Sequence, residues 1–400
     1  MDDNPVSPHN TPALGIGGAW AMAVGGMIGG GIFSTLGVVI SVAGQWAWLS
    51  FLVGGFIALA SGQSYSALTR QIGEPGGSYA YLRALNWNRT ARAVAWLLIL
   101  GYTLTVAVYA VTFGAYAAHA LGHDGATASL CGIAAIMLLA GVNLLGASES
   151  SVLEQVAVWG KLAILFGLAL IGLWHWAPDR LLLDTGHSAS WHGALLGTGV
   201  VFMAYEGFQL LSYDYDEMRH PARTITVAMP LAIVVTAIAY IVVSLGAGML
   251  AGAPAIVHEK EVALALAGRA ALGEPGFYLV SLAAVFSASS AINATVFATA
   301  RLAEKAARDG ELPAMFARRR ARDVPWVGTL LISGLAIVLV LVGGIESLVE
   351  GGSFVFLLVF ALVNALAIIR RAGSRLVAGF GLAGSLTAAA VLVHHLLGIV

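Results

Sequence analysis

Residues 21–33 read AMAVGGMIGGGIF, and five of the seven positions from Gly25 to Gly31 are glycine. The stretch opens a hydrophobic segment long enough to cross a bilayer. Each glycine inside a helix costs about 1 kcal/mol relative to alanine, so this segment is weakest at its middle. One reading is close packing: Gly25/Gly29 and Gly26/Gly30 form GxxxG pairs, which let helices approach one another. The other is a helix interrupted on purpose, so that main-chain groups face a cavity. A phosphate-binding glycine loop fits poorly, because no strand precedes it.

Composition decides the surroundings of this stretch. The chain has 400 residues, of which 59% are hydrophobic and 10% charged, and its mean hydropathy is +0.86. A soluble protein of this length carries roughly a quarter charged residues, so the chain reads as all-α and polytopic in the membrane. The net charge of −1 argues against a general attraction to nucleic acid. Cys131 is the single cysteine, so no disulfide forms within the chain. The N-terminus, MDDNPVSPHN, has no basic leader, and the first apolar run is too long for a signal peptide.

Hydropathy and breaks give eleven expected spans: 13–40, 44–67, 92–120, 126–145, 152–175, 193–218, 226–251, 276–306, 325–343, 350–371 and 377–397. With the N-terminus in the cytoplasm, sixteen of the 20 Lys and Arg residues fall in cytoplasmic loops. Arg180, Lys260 and Arg269 fall outside, and Lys161 lies within a span. That asymmetry is the positive-inside pattern and predicts a multi-pass protein of the cytoplasmic (inner) membrane, with residues 1–12 as a cytoplasmic tail. The connection 252–275, GAPAIVHEKEVALALAGRAALGEP, has a short helical pattern and is expected on the outer surface as a lid or interfacial helix.

Span 6, GVVFMAYEGFQLLSYDYDE, carries Glu206-Gly207 near its centre and reads as interrupted too. It lies five spans after the first. Interrupted helices at corresponding positions point to a transporter site built from inverted repeats. Such breaks survive only where they line a cavity or meet a ligand, since lipid cannot satisfy free N–H and C=O groups.

Four blocks carry a family resemblance. GGMIGGGIFSTLG resembles the G-[SG]-G-I-F signature of the amino acid–polyamine–organocation (APC) transporters. EPGGSYAYLRAL is similar to their stretch before the third span. FMAYEGFQLLSYDYDEMRHPARTI resembles their sixth span and following loop, and ASSAINATVFATARLAEKAARDGELPAMF their eighth span with its R-D-G-x-L-P tail. The resemblance runs from residue 25 to residue 316 and is most similar to the ApcT-like proton-coupled amino acid transporters. The family usually has twelve spans, and eleven are read here.

The resemblance implies a LeuT-type 5+5 inverted repeat with broken helices 1 and 6. Residues 13–175 would form the first repeat, 193–371 the second, and 377–400 an extra helix. It also implies a zwitterionic substrate, an amino acid or amine, held between spans 1 and 6. Amides at Gly29, Gly30 and Gly31 would then start a half-helix whose positive dipole end favours a carboxylate. Carbonyls at Met27 and around Met203 and Glu206 would receive an ammonium. Met203 stands where many members place an aromatic gate, so the gate is expected to be adaptable or moved to Tyr205 or Phe208. Ser353 of span 10 and Tyr102 of span 3 are further candidates, with ordinary packing as the alternative for both.

Lys161, in SSVLEQVAVWGKLAILFGLAL, is expected near the bilayer midplane, about 15 Å along its helix from Ser151. Placing a lysine there costs roughly 2.5–3.5 kcal/mol on insertion scales, so it needs a partner or a task. By the resemblance it matches a span 5 lysine that stands in for a coupling ion. Its expected neighbours are carbonyls at Gly25 and Gly26 and a hydroxyl from the Ser287, Ser289 and Ser290 cluster. The proton would then be the coupling ion. Glu206 reads as a contact for a substrate amine, an aid to proton movement, or a cap for freed backbone. Glu154 reads as interfacial. Asp214, Asp216, Glu217 and Arg223 read as an inner gate pairing with Arg70 or Arg83.

The chain offers no HExxH, GxSxG or aspartyl dyad, so an intramembrane enzyme is not expected, nor is any metal or cofactor. The function implied is a secondary transporter of amino acids working by proton symport. An exchanger of the same fold is the alternative within transport, and a substrate sensor on a transporter fold is the alternative outside it.

Overall fold

The computed structural model describes residues 14–123, 125–145, 151–183, 191–319 and 324–398, and the side chains of 151–155 fall outside the description. The expected tail 1–12 and the side chain of Glu154 therefore lie outside the described residues. What is described is helical, with one isolated bridge between Leu14 and Met218. The bridge ties the chain just before the first helix to the loop after the sixth segment, through Leu14 N–H to Glu217 O and Arg219 N–H to Leu14 O.

The helices follow in order: α1 Ile16–Ala43, α2 Ala47–Ile72, the short α3 Gly77–Ala84, α4 Asn88–Ala120, α5 Ala126–Leu144 and α6 Ser151–Trp174. Then come α7 Trp191–Val200, α8 Phe202–Tyr205 with the 3-10 run Glu206–Ser212, and α9 Pro221–Ala251. Two short helices, α10 Ala253–His258 and α11 Ala263–Leu272, precede α12 Glu274–Arg308. The last are α13 Trp326–Val342, α14 Ile345–Arg370 and α15 Arg375–Leu396. Among the described residues, eight helical runs are long and apolar enough to cross a membrane, or nine with the bent pair α7–α8. One of these runs, Ile16–Ile72, is 57 residues long. At 1.5 Å per residue it is far longer than a bilayer is thick, and the 3-10 turn Gly44–Trp46, entered at Gly44 with φ 52°, divides it into α1 and α2. Large apolar side chains such as Leu138, Leu170, Phe286 and Leu341 are exposed, as they are where lipid is the solvent. The chain is a multi-pass membrane protein.

The two expected interruptions come out differently: α1 has none, and the sixth segment bends at Val201, ahead of the expected Glu206-Gly207. The sixth segment bends by 47° between α7 and the run that starts at Phe202. In contrast, α1 runs without interruption through residues 25–31. The physical difference lies in what the neighbours offer. A freed turn needs partners for both amides and carbonyls. Around this stretch the carbonyls of Met27 and Ile28 accept from Tyr240 and Ser287 of neighbouring helices, and those of Gly30 and Gly31 from Ser34 and Thr35 one turn on in α1 itself. The amides of that stretch stay in the helical ladder.

α1 sits at the centre, packed against α6, α7, α9 and α12 and against the 3-10 run Glu206–Ser212. Every residue from Met27 to Ile40 is buried. Its glycines serve that central position. A β-carbon on Gly26 would lie 3.3 Å from Gly207 Cα, and one on Gly29 would lie 3.2 Å from the Ala291 methyl. One on Gly30 would overlap the Tyr109 ring, and one on Gly31 the Tyr240 hydroxyl. Four neighbouring elements thus approach one short stretch of backbone, each at its own glycine.

Candidate functional site

The site is built on the bend of the sixth segment. Ser353 of α14 holds the bend open: its hydroxyl donates to Val200 O at 2.6 Å and accepts from Met203 N–H at 3.0 Å. One side chain therefore serves both the carbonyl that ends α7 and an amide in α8. Two residues in sequence order connect these groups to the glycine face of α1. Ala204 O and Met27 O both face the hydroxyl of Tyr240 on α9, at 3.0 and 2.6 Å. Gly207, just past α8, lies against Gly26.

The residues singled out from sequence divide among these surroundings. Met27, Gly29, Gly30, Gly31, Met203, Tyr205, Glu206 and Phe208 are all buried. Met203 lies against Gly352, where a β-carbon would stand 3.2 Å from its sulfur. The Tyr205 hydroxyl donates to Phe51 O on α2 at 2.8 Å, so this ring is turned toward α2. Phe208 belongs to an aromatic cluster with Tyr65 and Phe360, at ring-centre distances of 5.7 and 5.1 Å. Tyr102 packs its ring on Phe356 at 5.4 Å. Its buried hydroxyl faces that of Tyr213.

Glu206 is 2% exposed. Gln209 Nε2 approaches it at 3.5 Å, and Gln209 Oε1 in turn accepts from the Tyr65 hydroxyl at 2.8 Å. Sequence reading missed Gln209 and Tyr65. The signal for Gln209 was its i+3 spacing from an acid within a span, where a helical neighbour is the first available partner. Tyr65 had no comparable signal, since it comes from α2.

Lys161 is 6% exposed on α6. That helix packs against α1 and α9, and the Trp159–Trp20 ring pair, 5.2 Å apart, fixes the contact with α1 close to the lysine. Gly25 and Gly26 are half-buried on α1. On α12, Ser287 donates to Ile28 O at 3.2 Å, whereas Ser289 donates to Val285 O of its own helix at 2.8 Å. Ser290 is half-buried one residue further on.

Charged contacts close the bundle at both faces. At the C-terminal end of α1, Lys260 pairs with Glu346 of α14. His119 of α4 lies 3.4 Å from Glu259, and His395 of α15 lies 3.6 Å from Glu350. These groups line a cavity of about 1000 Å³. At the opposite face, Arg83 meets Glu311 at 2.9 Å and Arg92 meets it at 3.1 Å. Tyr79 donates to Asp309 at 2.9 Å, and Lys305 to Pro75 O at 2.6 Å. Arg83 thus joins the R-D-G-x-L-P tail of α12, where sequence reading had looked to Asp214, Asp216 and Glu217. The large cavity is not lined by residues 25–31 or 200–209, and neither is the smaller one of about 280 Å³ around Arg70 and Pro230.

A spliced helix break beside glycine-thinned backbone, with Met27 O and Ala204 O brought to one hydroxyl, suits a small polar solute. The sequence model of a family described as Amino acid permease matches residues 14–399. The inner membrane transport protein YbaT of Escherichia coli is 29% identical over 365 residues, which cover 89% of this chain and 83% of that protein. The serine/threonine exchanger SteT of Bacillus subtilis is 24% identical, covering 87% and 81%. The methylthioribose transporter of the same organism is 26% identical, covering 74% and 67%.

Proposed function

The chain belongs to the amino acid permease family, and on that premise we propose that it is a secondary carrier moving amino acids across the cytoplasmic membrane by alternating access. The carrying observation is the bend between Val200 and Met203, spliced by Ser353 and set against the glycine face of α1. The solute's ammonium is assigned to the carbonyls of Met27 and Ala204, and its carboxylate to the amides near Gly30 and Gly31, which α1 holds in its helical ladder here and would free by opening during the transport cycle. Glu206 is assigned to the amine end of the solute.

The arrangement proposed is a 5+5 inverted repeat of residues 13–175 and 193–371, with 377–400 as an added helix and eleven crossings. Separating α1 from α2, taking α7–α8 as one crossing and adding the 17-residue α13 supports that count. Symmetry of the connections supports the repeat. α3 lies between α2 and α4, and α10 with α11 lies between α9 and α12, so corresponding links carry short helices. With the N-terminus cytoplasmic, α3 lies inside and α10–α11 outside.

Lys161 is proposed as the proton carrier. A lysine buried beside α1 gains or loses its proton as water reaches it from one face or the other. In liposomes, a pH gradient alone is expected to drive accumulation of a labelled amino acid. Lys161→Ala is expected to abolish that accumulation while leaving counterflow. Normal proton-driven uptake by this variant refutes the coupling role. Exchange is the second reading, favoured by the likeness to a protein named as an exchanger. Uptake that requires internal amino acid, with no response to the pH gradient, decides for it, and binding without counterflow decides for a sensor.

A further inference from the structure

The Tyr240 hydroxyl has one proton and two carbonyl oxygens before it, Met27 O at 2.6 Å and Ala204 O at 3.0 Å. A hydroxyl donates once, so the two acceptors share its one proton, Met27 O keeping its ladder bond in α1 as well. Its position is not a loose one. The ring is fully buried and packs against Phe51 at 5.3 Å and Tyr205 at 5.2 Å. The hydroxyl reaches the gap between α1 and α8 because residue 31 has no β-carbon. It therefore clasps together the two elements whose carbonyls were assigned above to the solute's ammonium.

We propose that Tyr240 is a placeholder for that ammonium: its hydroxyl holds α1 to α8, and an incoming primary amine displaces it from the two carbonyls. This rests on the amino acid carrier reading. A primary ammonium brings three N–H donors and a full charge, so it satisfies both carbonyls with charge-assisted bonds where the phenol satisfies them in part. The clasp competes with the solute and sets its affinity. It also imposes a selectivity. A quaternary ammonium has no N–H to give, so it cannot replace the phenol.

The test uses the full-length purified protein. Wild type and Tyr240→Phe are titrated with the twenty standard L-amino acids and putrescine, and then with the N-trimethyl derivative of the best binder. Removing the competing hydroxyl is expected to tighten binding of the primary amine on the order of three- to tenfold, the size of one hydrogen bond. The trimethyl derivative gains nothing. Without ligand, amide exchange in Tyr240→Phe is expected to quicken together in residues 25–31 and 200–207. A second measurement needs no destabilising change: 3-fluorotyrosine at position 240 is expected to shift its ¹⁹F signal with the primary amine and not with the trimethyl derivative. If wild type binds but Tyr240→Phe binds equally or more weakly, or the fluorine signal stays put, the placeholder falls and the carrier reading stands. If neither protein binds any of the compounds, the carrier reading falls and takes the placeholder with it.

Discussion

Gly30 shows how little freedom a single position retains at the centre of this bundle. Its missing β-carbon is where the Tyr109 ring lies, so the glycine costs helix propensity locally and returns it as close packing between α1 and α4. Gly30→Ala is expected to destabilise the protein by about 1–3 kcal/mol, the ordinary cost of overpacking. Shortening the opposing ring with Tyr109→Ala in the same chain should restore part of that loss, because the two sites share one volume. Thermal unfolding of the two single variants and the double variant in detergent reads the coupling. A strictly additive result would show that the ring does not constrain position 30.

Among the elements, the sixth segment depends on its neighbour more than on its own sequence. Val200 O and Met203 N–H would be unpaired in an apolar interior without the Ser353 hydroxyl. Unmet buried groups cost about 1–3 kcal/mol each. Ser353→Ala removes a donor and an acceptor at once, so its loss should lie at the upper end of that range. The expected signature is faster amide exchange confined to residues 200–207, with α2 and α4 unchanged. Ser353→Thr keeps the hydroxyl and should recover the protection. A uniform change across all helices would mean that Ser353 acts on global stability and not on the bend.

For the molecule as a whole, the charged groups near the C-terminal end of α1 join the α9–α12 connection to α4 and α14. Glu261 lies among them, outside the spanning helices. Burial holds its carboxyl above the usual range, with His119 opposing the shift and Glu259 adding to it. A raised folded-state value means that the neutral form is favoured in the fold. The stabilising contribution is therefore full in acid and is lost as pH rises through the folded-state value. Glu261→Gln stays neutral throughout. Its melting temperature should exceed that of wild type at neutral pH, and the gap should close toward acid. A gap that widens on acidification would reverse the sign and overturn the assignment. The Lys260–Glu346 pair beside it ties the same connection to α14, and its loss through Lys260→Ala should show as faster exchange in α10 and α11.

Composition and charge alone determined the membrane environment, and the spacing of glycines and of Glu206-Gly207 marked the two segments that meet at the site. These follow from local physics, since hydropathy, helix propensity and span length are properties of short stretches of chain. Sequence could not decide whether a weakened helix opens. α1 and the sixth segment look equally damaged, yet only the second is bent. At that bend the partner is Ser353, about 150 residues away, which supplies both a donor and an acceptor. Tyr65 and Tyr240 were silent for the same reason. Their roles depend on which carbonyl or side chain folding brings within hydrogen-bond reach, and that is settled by tertiary packing.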